Sequence, residues 1–275
     1  MFTSEQGKMM NLECALALSG VLKKVNESNP DLHAMFVMSN CKIALRYLQN
    51  IHHIAIDIYP PIAVSLCRTF YELVCSTMYL ATNKSELEDF LNFGRLMYYE
   101  TGEAQNLPGK MLNQLVPDRE ELRTYFRAKK GKSMSRQRQL SWHGMDIIEL
   151  GKAVGIEKFA GDDAEIKIRR SHYTRTSKMV HGDSLISLLA YNFDENGLEP
   201  IPFAPPMETF RTDALSLPCA LFIGLLATVG VGLSLDITSE YDRLNGVWRK
   251  VWEEATGTKV TTPLDPPLSD DPATT

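Results

Sequence analysis

Apolar residues recur at three- and four-residue spacing through most of this chain, and no set of alternating apolar and polar positions long enough for a sheet appears. That pattern predicts an all-α fold. The first helix is expected over about Asn11 to Val25. A second is expected from about Cys41, following Asn40, to Ile58, with Ile43, Leu45, Leu48, Ile51, Ile54 and Ile58 facing inward. Pro60 and Pro61 end it, and Pro61 suits the first turn of a third helix reaching Ala81. Ser85 and Glu88 read as a capping box for a fourth helix to about Thr101. After a loop around Pro108, a fifth helix is expected from Pro117-Asp118, with Lys130 to Ser133 as a connection.

Beyond Trp142-His143-Gly144 the pattern predicts a short helix, Met145 to Val154, ended at Gly155. Asp162 or Asp163 caps the next, which runs to His181 and stops at Gly182; another short apolar segment follows Asp183. Asp194 to Gly197 reads as a turn that can support one hairpin at most, and Pro200, Pro202, Pro205 and Pro206 as an extended crossover. A long apolar helix, Ala214 to Leu235, and a final helix, Ile237 to Thr256, complete the bundle. The expected organisation is one helical domain over 1–257 and a disordered tail over 258–275, where five threonines and four prolines crowd eighteen residues.

The stretch from Ala214 to Leu235 has no charged residue and is long enough to span a bilayer. Pro218, Gly224, Gly230 and Gly232 dilute it, and Arg211 alone gives no basic flank. A helix buried in the core or between subunits is the better fit.

Composition adds limits. The 275 residues are 44% hydrophobic and 23% charged, enough for a proper core, with a net charge of −5 that argues against nonspecific nucleic-acid binding by the whole molecule. The charge is uneven: eight basic residues lie between Arg119 and Arg138, and a second group spans Lys167 to Lys178. These are either solvated faces or surfaces for a polyanion such as RNA. The five cysteines are widely spaced, without a CxxC, and read as reduced, mostly buried thiols. The N-terminus lacks a signal-peptide layout, so a cytoplasmic location is expected.

No dinucleotide, P-loop, zincin, nucleophile-elbow or EF-hand motif occurs, and no cofactor or metal is expected. His52 and His53 are adjacent and point to different sides of a helix. Arg68 and Glu72 stand four apart in an apolar helix, so they form an ion pair either at the rim of the fold or in a polar pocket. The richest stretch is Tyr173 to Asp183. Arg170, Tyr173, Ser177 and His181 fall on one helix face, with Gly182 just beyond the histidine. Arg175 lies about 240° around from His181, so the two meet only across a helix break or between two chains. On the packing alternative, Tyr173, Ser177 and His181 form a buried hydrogen-bond network completed by Arg68 and Glu72.

The order R-x3-E (Arg68, Glu72), Trp142-His143-Gly144, then Y-x3-S-x3-H-G resembles the DUF5677 family, all-helical bacterial proteins of poorly defined function, over about Ile54 to Leu189. Arg175 to His181 is also similar to the R-x4-6-H signature of HEPN ribonucleases of toxin and phage-defence systems. That resemblance implies metal-independent RNA cleavage at a site shared by a homodimer, with His181 moving the proton and Arg175 stabilising phosphate charge. It also implies a cognate antitoxin or operon partner. The chain departs from that pattern at Thr176, where many such enzymes carry Asn, Asp or His.

Overall fold

A computed structural model describes residues 2–100, 119–129, 141–156, 191–194, 197–200 and 205–257. Among these, eight α-helices and one hairpin are present, so the fold is all-α as the periodicity predicts. They are α1 (Ser4–Glu27), α2 (Leu32–Asp57), α3 (Pro60–Thr82), α4 (Leu87–Glu100), α5 (Arg119–Lys129), α6 (Ile147–Ala153), α7 (Pro205–Gly232) and α8 (Thr238–Thr256). Strands β1 (Tyr191–Asp194) and β2 (Gly197–Pro200) pair antiparallel, with Tyr191 opposite Pro200.

Two helices begin well before their expected starts, and in both cases a polar cap sets the boundary. Thr3 accepts the Gln6 N–H through its hydroxyl, while the Gln6 side chain accepts the Thr3 N–H at 2.9 Å, so α1 opens at Ser4 and not near Asn11. Asp31 accepts the Ala34 N–H at 2.8 Å and opens α2 nine residues ahead of Cys41. With the longer helix, Leu48 and Ile51 are buried as expected, but Ile43 and Ile58 are exposed. Ile58 is the C-cap, beyond the last turn, and Ile43 is turned away from the core stripe of Val37, Cys41, Ala44 and Leu48.

The expected capping box at Ser85 is absent. A 3₁₀ turn over Lys84–Glu86 links α3 to α4, and the Asn83 side chain donates back to the Tyr79 carbonyl at 2.8 Å, closing the end of α3 instead of opening α4. The expected proline crossover also differs: Pro205 and Pro206 are the first residues of α7, where a missing N–H costs no helical bond.

The core is a central pair, α3 against α7, with α2 packed on both; α1 packs on α2, α7 and α8, and α8 also on α7. Helix α7 supplies Phe222, Ile223, Leu225 and Val229; α3 supplies Phe70, Val74, Met78 and Leu80. The stretch Phe210–Gly232 is long and apolar enough to cross a membrane, and 83% of its most apolar window is buried inside the protein. Gly232 lets α7 approach the end of α3 closely: a Cβ there would lie 2.7 Å from the carbonyl carbon of Ala81. Two helix ends are Schellman motifs. At α6, Gly155 (φ +73°) donates to the Lys152 carbonyl and buried Ile156 to that of Gly151, while at α7, Ser234 (φ +54°) and Leu235 bond Val231 and Gly230.

All five cysteines are buried and free. His52 is fully buried and His53 is exposed, paired with Asp57 at 2.8 Å, as their adjacency requires.

Candidate functional site

Of the residues singled out from sequence, Arg68, Glu72, Trp142 and His143 fall in the described part. Arg170, Tyr173, Arg175, Ser177 and His181 lie outside the described residues, as do Lys130–Arg138, Lys167–Lys178 and the 258–275 tail.

Arg68 and Glu72 form the expected ion pair along α3, Nε donating to Oε1 at 3.1 Å. Both side chains keep appreciable solvent exposure, so the pair sits at the rim and not in a sealed pocket.

Trp142 and His143 occupy a tight turn in which the Gly144 N–H donates to the Ser141 carbonyl at 3.3 Å. Gly144 has φ +74°, and a Cβ on it would meet the Lys129 carbonyl oxygen at 3.0 Å, so glycine serves both the turn and the close approach of α5. Trp142 is buried against Phe90 (5.4 Å between ring centroids) and Tyr79 (5.6 Å), with the His143 ring edge-on at 5.2 Å. His143 Nδ1 accepts the Met145 N–H at 3.1 Å, which leaves the proton on Nε2. Burial, reinforced by the nearby Lys129 charge, pushes His143 down to about 4, so the ring is uncharged at neutral pH.

Directly after this turn, Asp146 and Glu149 reciprocally cap α6: Asp146 Oδ1 accepts the Glu149 N–H at 2.8 Å, and Glu149 Oε2 accepts the Asp146 N–H at 3.0 Å. The D-x-x-E spacing carried that signal, and it moves the helix start two residues beyond the expected Met145.

A cluster that sequence reasoning did not assemble lies beside His143. Lys129 Nζ donates to Glu86 Oε2 at 2.5 Å and also to Asp89, and the Tyr125 hydroxyl donates to Asp89 at 2.9 Å. Burial works against the lysine's charge, but the Asp89 and Glu86 hydrogen bonds outweigh it and its pKa is raised. The Asp89 hydrogen bond and burial raise the Tyr125 phenol, and burial beside Glu86 raises that of Tyr79. The only sequence signals were Tyr125 and Lys129 four apart on one helix and two carboxylates three apart near the start of another, each commonplace alone.

Within the described part of the first basic segment, Arg119, Arg123 and Lys129 are engaged with carboxylates. Arg123 makes a bidentate pair with Glu100, its Nε and Nη2 donating at 2.8 and 2.9 Å, and also reaches Glu120 at 2.9 Å. Arg119 lies 3.6 Å from Glu100. Chemically, the Lys129 cluster is a clamp: a protonated lysine neutralises two apposed carboxylates, and the adjacent histidine is a weak base without charge to offer an anion. Among the described residues, no group of three or more His, Cys, Asp or Glu is placed to hold a metal ion.

An all-helical bundle with a Trp-His-Gly corner and an R-x3-E rim pair defines the class. Within it, the chain belongs to DUF5677, described as a family of unknown function, which matches residues 35–198. The match reaches further in both directions than the expected Ile54 to Leu189, while α1, α7 and α8 lie outside it. No curated protein and no solved structure matches the chain. Nothing in these comparisons supports the HEPN resemblance.

Proposed function

We propose that this chain is a non-catalytic helical binding module, whose described polar residues fix its packing and whose recognition falls to the stretch Tyr173 to Asp183. One observation carries the reading: the charged and polar candidates in the described part already have protein partners. Arg68 holds Glu72, Lys129 holds Glu86 and Asp89, and His143 caps the Met145 N–H. The Lys129 clamp joins α5 to α4, the Arg68–Glu72 pair spans one turn of α3 and the His143 contact closes its own turn, so these groups are committed to the fold. The basic segment Lys167 to Lys178 makes RNA the first ligand to test, and a cytoplasmic location goes with that choice.

The second reading is metal-independent RNA cleavage by Arg175 and His181, favoured by their R-x5-H spacing and requiring a shared dimer site or a helix break. A toxin role with a cognate antitoxin belongs to that reading alone. One experiment separates the two. Purified wild-type, Arg175→Ala and His181→Ala proteins are incubated with labelled RNA with and without EDTA, and both retention and cleavage are scored. The binding-module reading expects RNA intact in every arm and retained by wild type, with retention reduced by Arg175→Ala and further by Arg169→Glu/Arg170→Glu. Cleavage by wild type that both alanine variants abolish, with EDTA having no effect, overturns it in favour of the nuclease. Neither retention nor cleavage removes RNA as the ligand.

A further inference from the structure

Helix α1 buries one face, Met10, Cys14, Ala17 and Val21, against the core. One flank is tied to α8 by Lys24–Glu240 at 2.7 Å and Glu13–Arg243 at 3.1 Å, and α2 packs on the helix as well. What remains is an outward seam: Glu5, Met9, Leu12, Leu16, Ser19 and Lys23. Their spacing is four, three, four, three, four, the a/d repeat of a coiled coil. Met9, Leu12 and Leu16 are 40%, 59% and 45% exposed, unusual for three large apolar side chains in one line. Lys23 is 78% exposed.

We infer that α1 is a homodimerisation helix that pairs antiparallel with a second copy of itself about a two-fold axis at the level of residue 14. The charges select this arrangement. With Leu12 opposite Leu16 of the partner subunit, the same register places Met9 opposite Ser19 of the partner subunit and Glu5 opposite Lys23 of the partner subunit. Each layer joins an a position to a d position, as antiparallel knobs-into-holes packing requires. Two-fold symmetry then repeats the Glu5–Lys23 pair at both ends of the seam, one isologous patch meeting itself. A parallel pairing instead sets Glu5 against Glu5 and Lys23 against Lys23. The seam is about 28 Å long. A helix pair of that length covers less than the roughly 800 Å² per partner of a standard interface, so the dimer is weak, with Kd in the micromolar range. Helix α1 precedes the family match at residue 35, so this surface is independent of the recognition stretch and of the function proposed above.

Sedimentation equilibrium of the full chain over about 1–200 µM tests the inference. Wild type is expected to dimerise, and Leu12→Glu/Leu16→Glu to weaken the dimer at least about tenfold. Glu5→Lys or Lys23→Glu alone weakens it about three- to tenfold, and Glu5→Lys/Lys23→Glu together restores it to within about twofold. All four positions are exposed, and circular dichroism confirms that the variants keep their helix content. As a second readout, mild oxidation of a mixture of Leu12→Cys and Leu16→Cys chains should yield the mixed disulfide faster than either chain alone forms its own. A wild type that stays monomeric throughout overturns the inference. So does a dimer that the leucine substitutions leave intact, or a double charge swap no tighter than the singles.

Discussion

His52 of α2 donates its Nε2–H to the carbonyl of Leu215 in α7, 3.0 Å away and three residues before Pro218. Proline at 218 has no N–H to return to the carbonyl of the preceding turn, and its ring crowds that turn. By the i to i−4 pattern that carbonyl is Ala214's, and the fully buried imidazole bonds the next one along, tying α2 to α7 beside the proline. His52→Ala removes both the donor and the packed ring, and is expected to cost about 2–4 kcal/mol in urea unfolding at pH 7.

Acid should weaken the fold through two histidines. Burial lowers His52 to about 4, and burial with the Lys129 charge does the same for His143, against about 6.5 when unfolded. Between these values the unfolded chain binds more protons, so stability is full above about pH 6.5 and is lost as pH falls through 4. Each histidine contributes up to about 3 kcal/mol to that loss. Urea midpoints measured from pH 7 to pH 4.5 should fall steadily, and His143→Gln should flatten the slope. A midpoint that does not move over this range contradicts the assignment.

Lys129→Met leaves Glu86 and Asp89 facing each other without their cation. The expected destabilisation is about 1–3 kcal/mol, less than for a fully sealed pair because the side chains retain some exposure. Thermal midpoints of the variant and wild type at pH 7 check this, and an unchanged midpoint contradicts it.

Two glycines should respond oppositely to alanine. Gly232→Ala drives a methyl into the backbone of Ala81, and overpacking of this kind costs about 1–3 kcal/mol. Gly246 lies within α8 with nothing within 4 Å of its missing Cβ, so Gly246→Ala should gain about 0.5–1 kcal/mol. Thermal melts of the two variants side by side check both signs.

The thiols should be silent in the native state. All five cysteines are buried, and burial pushes Cys41 up to about 12, so the reactive thiolate is scarce at pH 8. A colorimetric thiol reagent should register no cysteine in the folded protein and five after denaturation. Rapid labelling of any native cysteine contradicts this placement.

The helical fold was legible in the sequence because 3.6-residue periodicity reports burial directly. The α3 boundaries followed from Pro60 and Pro61, and the buried α7 from its glycines and missing basic flank. Boundaries failed where a short polar cap outweighed the apolar pattern. Thr3 with Gln6, and Asp31 with Ala34, extend helices over residues whose periodicity looked weak. The Trp142–His143 corner and the Arg68–Glu72 pair were visible as local motifs. The Lys129 clamp was not, because its members come from positions 86 to 129 and meet only after α5 packs on α4. Pairings of that reach have no local periodicity to betray them.

The packing of α3 against α7 has a consequence during synthesis. Roughly 120 residues separate the end of α3 at Thr82 from the start of α7 at Pro205. At about 5–20 residues per second, α1 to α3 leave the ribosome on the order of ten seconds before the helix that seals them. Through that interval Phe70, Val74 and Met78 have no partner from α7, and the nascent chain presents an apolar trough that chaperones can hold.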